Sequence, residues 1–294
     1  MGRIITDPRK LHRDQVQRPS SDKLSELAGQ TDSELTAKAK DVRTASKLKS
    51  WPNFRSYVAH CMDATGRKLM AISRLQKNYL PEAQSIFRDL TEVVVDLFWV
   101  YGYFRECNST GERIAERFYK FPAHVFLKTA EQFRQVAPTD HFLAEPYTTA
   151  KIKQLEDDAK QNLRSYVVID KNADTELRWL QDTEWRALPG VVRTRSDAKW
   201  KARCERAASE VVQIANLKDA PYHWDLATLS AYAHWDPQQT VKIDEKEQVA
   251  LADRDLNIAL GFAHDALNLA YRLLGIDPPE QVTIMRQQFI YMST

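Results

Sequence analysis

The chain has 294 residues, 43% hydrophobic and 28% charged, with 42 basic residues against 40 acidic ones and a formal net charge of +2. That is the profile of a globular chain long enough to bury a core without staples, and it gives no global charge to attract a polyanion. Only eight glycines occur, the closest pair being Gly102 and Gly111, so a phosphate-cradling P-loop and a G-x-G-x-x-G dinucleotide fingerprint are both excluded.

The amino-terminal stretch MGRIITDPRKLHRD lacks an apolar core region, which argues against a signal peptide and predicts a cytoplasmic chain. The three scattered cysteines, Cys61, Cys107 and Cys204, read as reduced thiols. Residues 1–50 are polar and predict a weakly helical, solvated arm, with a docking or oligomerisation arm as the alternative. In it Ser20-Ser21-Asp22 can cap a helix over 23–28, and a second weak helix over 31–49 ends in Lys38, Lys40, Arg43, Lys47 and Lys49. Residues 51–294 predict a single helical-bundle domain.

Asn53 is placed to cap a helix from Phe54 to about Lys77. Pro81 and Glu82 open a helix that contains Ile86–Phe104, which is apolar round nearly its whole circumference and therefore predicted to be buried. Arg88, Glu92 and Asp96 interrupt it at i, i+4 and i+8. A charge in such a helix is costly unless it is paired or serves a function. Val93–Phe104 is the longest candidate for a membrane span, but Asp96 interrupts it and it is well short of the ~20 apolar residues a span needs. No membrane partner is expected.

Asn108-Ser109-Thr110-Gly111 predicts a turn, Glu112–Phe121 a helix ended by Pro122, and His124–Val136 another. Thr148–Asn162 is a polar helix, and Ser165–Ile169 the only strand-like run. Thr175–Leu188 and Asp197–Leu217 predict helices, the second with Ala207, Val211, Ile214 and Ala215 on one face. Tyr222–His234 is a second apolar helix, in which the stretch Leu226–Trp235 is broken only by Thr228, Ser230 and His234. Val249–Leu274 is long, with Gly275 as its cap and Pro278-Pro279 beyond. The pattern is all-α, a bundle of about seven to nine helices with negligible sheet.

Arg88 and Glu92 sit one turn apart and can pair, either as an internal salt bridge fixing register or as a polar site. Ser230 and His234 are also one turn apart. The histidine suits general acid/base work, or it is a core residue satisfied by Ser230 or Glu92. The spacing R-x4-H occurs at Arg55/His60 and R-x6-H at Arg117/His124. Basic residues interleave with Trp200 between Arg193 and Arg206, a pattern that occurs in nucleic-acid binders and more often on solvated faces. H-E-x-x-H, C-x-x-C and Glu-x-x-His are absent, so neither a metal nor a cofactor is expected.

Four segments resemble a HEPN-like, all-helical bacterial domain family of unknown function. They are Phe87–Glu92, Glu116–Tyr119, Lys199-Trp200, and Tyr222 through Leu229–His234, with an R-x-x-x-E element followed far downstream by S-x-x-x-H. The resemblance spans roughly Phe54 to Ala270 and implies that Arg88, Glu92, Ser230 and His234 converge near a pocket. For a HEPN-like ribonuclease it implies metal-independent RNA cleavage across a homodimer interface, in a toxin-type effector of bacterial antiviral defence. His234 would be the acid/base and Arg88 or Arg117 would stabilise the phosphate. Tyr119, Lys199, Trp200 and Tyr222 would contact substrate. The residue one turn before His234 is Ser230, not the arginine of HEPN nucleases. The alternative is a non-catalytic helical binding or assembly module for a second copy or a partner protein, with Arg88, Glu92 and His234 as a structural network. A third reading is a pocket where Arg88 and His234 hold a carboxylate or phosphate ligand.

Overall fold

The computed structural model describes residues 20–76, 78–140, 142–162, 167–169, 177–179, 200–214 and 245–279. Among them are seven α-helices: α1 (Ser21–Thr44), α2 (Pro52–Leu75), α3 (Leu80–Glu106), α4 (Asn108–Val136), α5 (Thr149–Asn162), α6 (Trp200–Ile214) and α7 (Glu245–Leu274). A 3-10 turn at Ser46–Leu48 links α1 to α2. Two three-residue strands, β1 (Val167–Ile169) and β2 (Leu177–Trp179), pair antiparallel with Val168 opposite Arg178. The architecture is an all-α multi-helix bundle. Among the described residues no helix is long and apolar enough to cross a membrane.

Within the segment read as a solvated arm, Ser21–Thr44 is a packed helix. Leu24, Ala28, Leu35, Ala39 and Val42 are all 2% exposed or less and join the central core. Ser20 caps α1 as expected, its hydroxyl accepting from the Lys23 N–H at 3.3 Å. One uninterrupted helix replaces the two weak ones because this stripe of small and branched residues recurs every three or four positions and finds two faces to cover. Those faces are α2 and α7. α1 lies parallel to α7: Ser21 donates to Asp253 at 2.9 Å, Thr31 meets His264, and the Tyr271 hydroxyl donates to Glu34.

α2 and α3 run antiparallel. Phe54 stacks on Phe104 with ring centroids 3.7 Å apart, and Lys68 reaches Asp89 at 3.2 Å farther along. The residue expected to cap α2, Asn53, does not do so. The helix starts at Pro52, and the Glu112 carboxylate of α4 accepts from the Asn53 and Phe54 N–H groups at 2.9 and 2.8 Å and from the Asn53 amide at 2.8 Å. An acidic side chain on these orphan donors also meets the positive end of the helix dipole. Glu112→Ala is expected to destabilise the fold by about 1–2 kcal/mol, the usual cost of a lost cap. A thermal unfolding midpoint within 1 °C of the parent, as an order-of-magnitude limit, contradicts this.

Two expected breaks do not occur. The stretch from Asn108 to Gly111 is the first turn of α4, not a loop; α3 and α4 are separated only by Cys107, which is extended at φ −153°. α4 also continues through Pro122 to Val136. Proline removes one helical hydrogen bond. Aromatic packing against other segments holds the helix on both sides, Phe118 against Tyr57 of α2 before Pro122 and Phe133 against Tyr147 after it. In 175–188 the described residues form strand β2, not helix; its Leu177 and Trp179 pair with Ile169 and Val167 of β1, the latter in the run read as strand-like. α7 ends as its sequence predicts. Gly275 sits at φ +70°, with Ile276 N–H bonded to Tyr271 and Gly275 N–H to Arg272, both reversed-turn bonds of a glycine cap. The expected helix over 222–234 lies outside the described residues.

Candidate functional site

α3 is deeply buried along its second half: Val94 to Phe104 is buried at every position. Asp96 is therefore taken out of water, at 7% exposure. α6 lies parallel to α3 and brings Arg203, 6% exposed, to donate to the Asp96 carboxylate. Burial pulls the Arg203 guanidinium below the ordinary arginine range, and the nearby Glu92 carboxylate works against that. The guanidinium also lies 5.1 Å from the Trp200 ring, a cation–π contact.

Two turns farther along, the same two helices exchange a second set of charges. Arg105 donates to both oxygens of Glu210 at 2.9 Å, a bidentate pair in which the Glu210 side chain is 3% exposed. Arg206 pairs with Glu106 at 2.7 Å and lies 3.9 Å over the Tyr103 ring. Gly102 makes room for this crossing. A Cβ there would stand 2.7 Å from Arg206 Nε and 3.0 Å from Glu210 Oε1.

Of the residues singled out by sequence, Arg88 and Glu92 do pair, at 3.5 Å. They lie at the rim, however, with side chains 28% and 41% exposed, and are not the buried pair of α3. Trp200 joins Asp96, Glu92 and Arg203 at the α3–α6 interface. The basic run around Trp200 is not a free cationic surface in its described part: Arg203 and Arg206 turn inward to α3 carboxylates, and Lys201 lies 3.9 Å from Glu205. Arg117 is buried, 7% exposed, on α4. Tyr119 belongs to another face. Burial of its phenol pushes it up to about 12, with Cys61, Arg43 and Ser56 around it, while the residue remains 44% exposed. Of the R-x4-H pair on α2, Arg55 is half-buried and His60 exposed. Lys199, Tyr222, Ser230 and His234 lie outside the described residues, as does the expected convergence of Arg88 and Glu92 with Ser230 and His234.

A second polar set within an apolar helix went unread in the sequence. Along α7, Asp255, Asn257, His264, Asp265 and Asn268 are all under 9% exposed. Burial lowers the His264 imidazole to about 4, keeping it neutral, with the Thr31 hydroxyl 3.4 Å from Nε2. Burial raises the Asp265 and Asp255 carboxyls, the former well above the ordinary carboxylate range. The criterion that picked Ile86–Phe104 applies equally to LNIALGFAHDALNLA, and it was the signal that could have found them.

Among the described residues no group of three His, Cys, Asp or Glu is placed to hold a metal ion. The thiols differ sharply. Burial pushes Cys61 and Cys204 up to about 12, whereas hydrogen bonds from Ser109 and Thr110 at the start of α4 bring exposed Cys107 down to about 7. Iodoacetamide at pH 7.5 is expected to alkylate Cys107 in the folded protein and leave the other two unmodified, as read by peptide mass spectrometry. Equal labelling of Cys61 contradicts that burial. Comparison with protein-family models, with curated proteins and with solved structures finds no match.

Proposed function

We propose that the chain is a non-catalytic helical binding or assembly module whose buried charges serve to dock its own helices. The observation that supports this is the α3–α6 interface. There the arginines Arg105, Arg203 and Arg206 each meet a carboxylate of the facing helix, and the side chains of the Asp96–Arg203 pair are about nine-tenths buried. A catalytic group needs access to a substrate; these groups have partners within the protein instead. Incubation of the protein with a labelled RNA in EDTA tests the reading. Intact RNA is the expected result, and cleavage that disappears in His234→Ala overturns it.

A second reading is a HEPN-like metal-independent ribonuclease acting as a toxin-type effector in bacterial antiviral defence. Two things favour it: the half-exposed Arg88–Glu92 pair, where a phosphate can reach the guanidinium, and the R-x-x-x-E and S-x-x-x-H elements. Cleavage in EDTA that is lost in both His234→Ala and Arg88→Ala would establish it in place of the first.

A further inference from the structure

The outward ridge of α2 is basic. Beyond its first residue, Pro52, the exposed positions of this helix are His60, Arg67 and Arg74. They recur every seven residues and so stand in one row, spanning roughly 21 Å at 1.5 Å per residue. Among the described residues none of the three is held in an ion pair or hydrogen bond. Arg67 and Arg74 are exposed, and neither is engaged by a carboxylate.

The neighbouring helices continue the surface. α1 contributes the exposed Lys40 and Arg43. The acids that border the ridge are already engaged or half-buried: Asp63 binds Arg43, and Asp32 lies against Gly66, where a Cβ would meet its Oδ1 at 2.3 Å. Four fixed cations therefore face two carboxylates, in a protein whose total charge is close to zero. At the His60 end α4 supplies Tyr119. Its hydroxyl is tucked against Ser56, one turn from His60, while the residue stays 44% exposed.

We propose that this surface, formed by Lys40, Arg43, His60, Arg67, Arg74 and Tyr119, docks single-stranded nucleic acid. Lys40, Arg67 and Arg74, which are held in no ion pair among the described residues, can track a phosphate backbone with the Asp63-paired Arg43 beside them, and the exposed Tyr119 ring gives a base a face to stack on. The ridge carries no large apolar residue of the kind that inserts into a bilayer, which sets it apart from a membrane-binding helix. The proposal rests on the binding-module reading and names the partner class for it.

The test is fluorescence anisotropy of a labelled 12-nucleotide oligouridine with the full chain in EDTA, titrated between 50 and 200 mM salt, with a gel to read whether the RNA stays intact. Binding is expected to weaken with salt. Arg67→Glu/Arg74→Glu is expected to lose at least tenfold in affinity and to flatten the log–log salt slope by about 1.4, the effect of two lost single-strand phosphate contacts. Tyr119→Leu should lower affinity about fivefold or more, as loss of one stacking contact does. Lys151→Glu/Lys153→Glu, on the exposed face of α5, should bind like the parent. The four substitutions on the ridge and α5 are at exposed positions, and unchanged circular dichroism melts confirm folding. Absence of binding, equal binding by the ridge and α5 variants, or binding to phosphatidylserine vesicles with none to oligouridine overturns the proposal. Intact, unbound RNA leaves the module reading standing without this partner. Bound and cleaved RNA keeps the docking surface and removes the module reading.

Discussion

Replacing Asp96 by alanine is expected to lower the unfolding free energy by about 3–5 kcal/mol, because it strands the Arg203 guanidinium at the α3–α6 interface with no opposite charge in contact. Both side chains are about one-tenth exposed, so solvent cannot take over the missing role. The isosteric double variant Asp96→Leu/Arg203→Met should recover most of the loss, since an apolar pair of similar volume avoids the desolvation that a buried ion pair carries. Urea denaturation followed by circular dichroism reads both. If the single variant falls less than about 1 kcal/mol below the parent, the pair is not the one that holds α6 on α3.

His264 sets an acid limit of similar size. Its folded-state value of about 4 lies below the unfolded value of 6.5. The unfolded chain therefore binds this proton first as the pH falls. The contribution is complete above pH 6.5 and declines as the pH falls toward 4, the loss by then amounting to about 3 kcal/mol at 1.36 kcal/mol per pH unit. The raised carboxyls of Asp265 and Asp255 act with the opposite sign: their contribution is present below the unfolded carboxylate value and is lost as pH rises. The whole-protein curve mixes the two, so the informative quantity is the difference between the parent and His264→Gln. The parent should lose stability relative to the variant between pH 6.5 and 4. A difference that is flat over that window means the imidazole titrates alike in both states. Asp265→Asn should show the complementary trend, gaining about 1–3 kcal/mol over the parent at pH 8 and losing that advantage by pH 4.

The helical class, the start of α1 and the end of α7 were legible because they rest on local chemistry: periodicity, a serine cap, a glycine at positive φ. Burial of the 94–104 part of the 86–104 helix was legible for the same reason. What was misread depends on distant parts of the chain. Arg88, Glu92 and Asp96 advance about 40° per step around the helix, so the first two stay at the rim while the third turns inward. Which cation meets Asp96 is decided by the parallel packing of α6, 107 residues away, and no spacing rule contains it. The first fifty residues looked solvated because their mean composition is polar. Their stripe of Leu24, Ala28, Leu35, Ala39 and Val42 is narrow, and its burial needs α2 and α7 to be in place. At Pro122 a local rule gave way to tertiary contacts on both sides, and at Asn53 a cap from Glu112, 59 residues away, displaced the local candidate.

The most direct test of whether the charge in α3 exists to dock α6 is the coupling energy between Asp96 and Arg203, from the unfolding free energies of the parent, Asp96→Ala, Arg203→Ala and the double alanine variant. A structural pair in direct contact is expected to give about 2–3 kcal/mol of coupling. A value below about 0.5 kcal/mol would mean that the two charges act independently, and would contradict the docking role assigned to them.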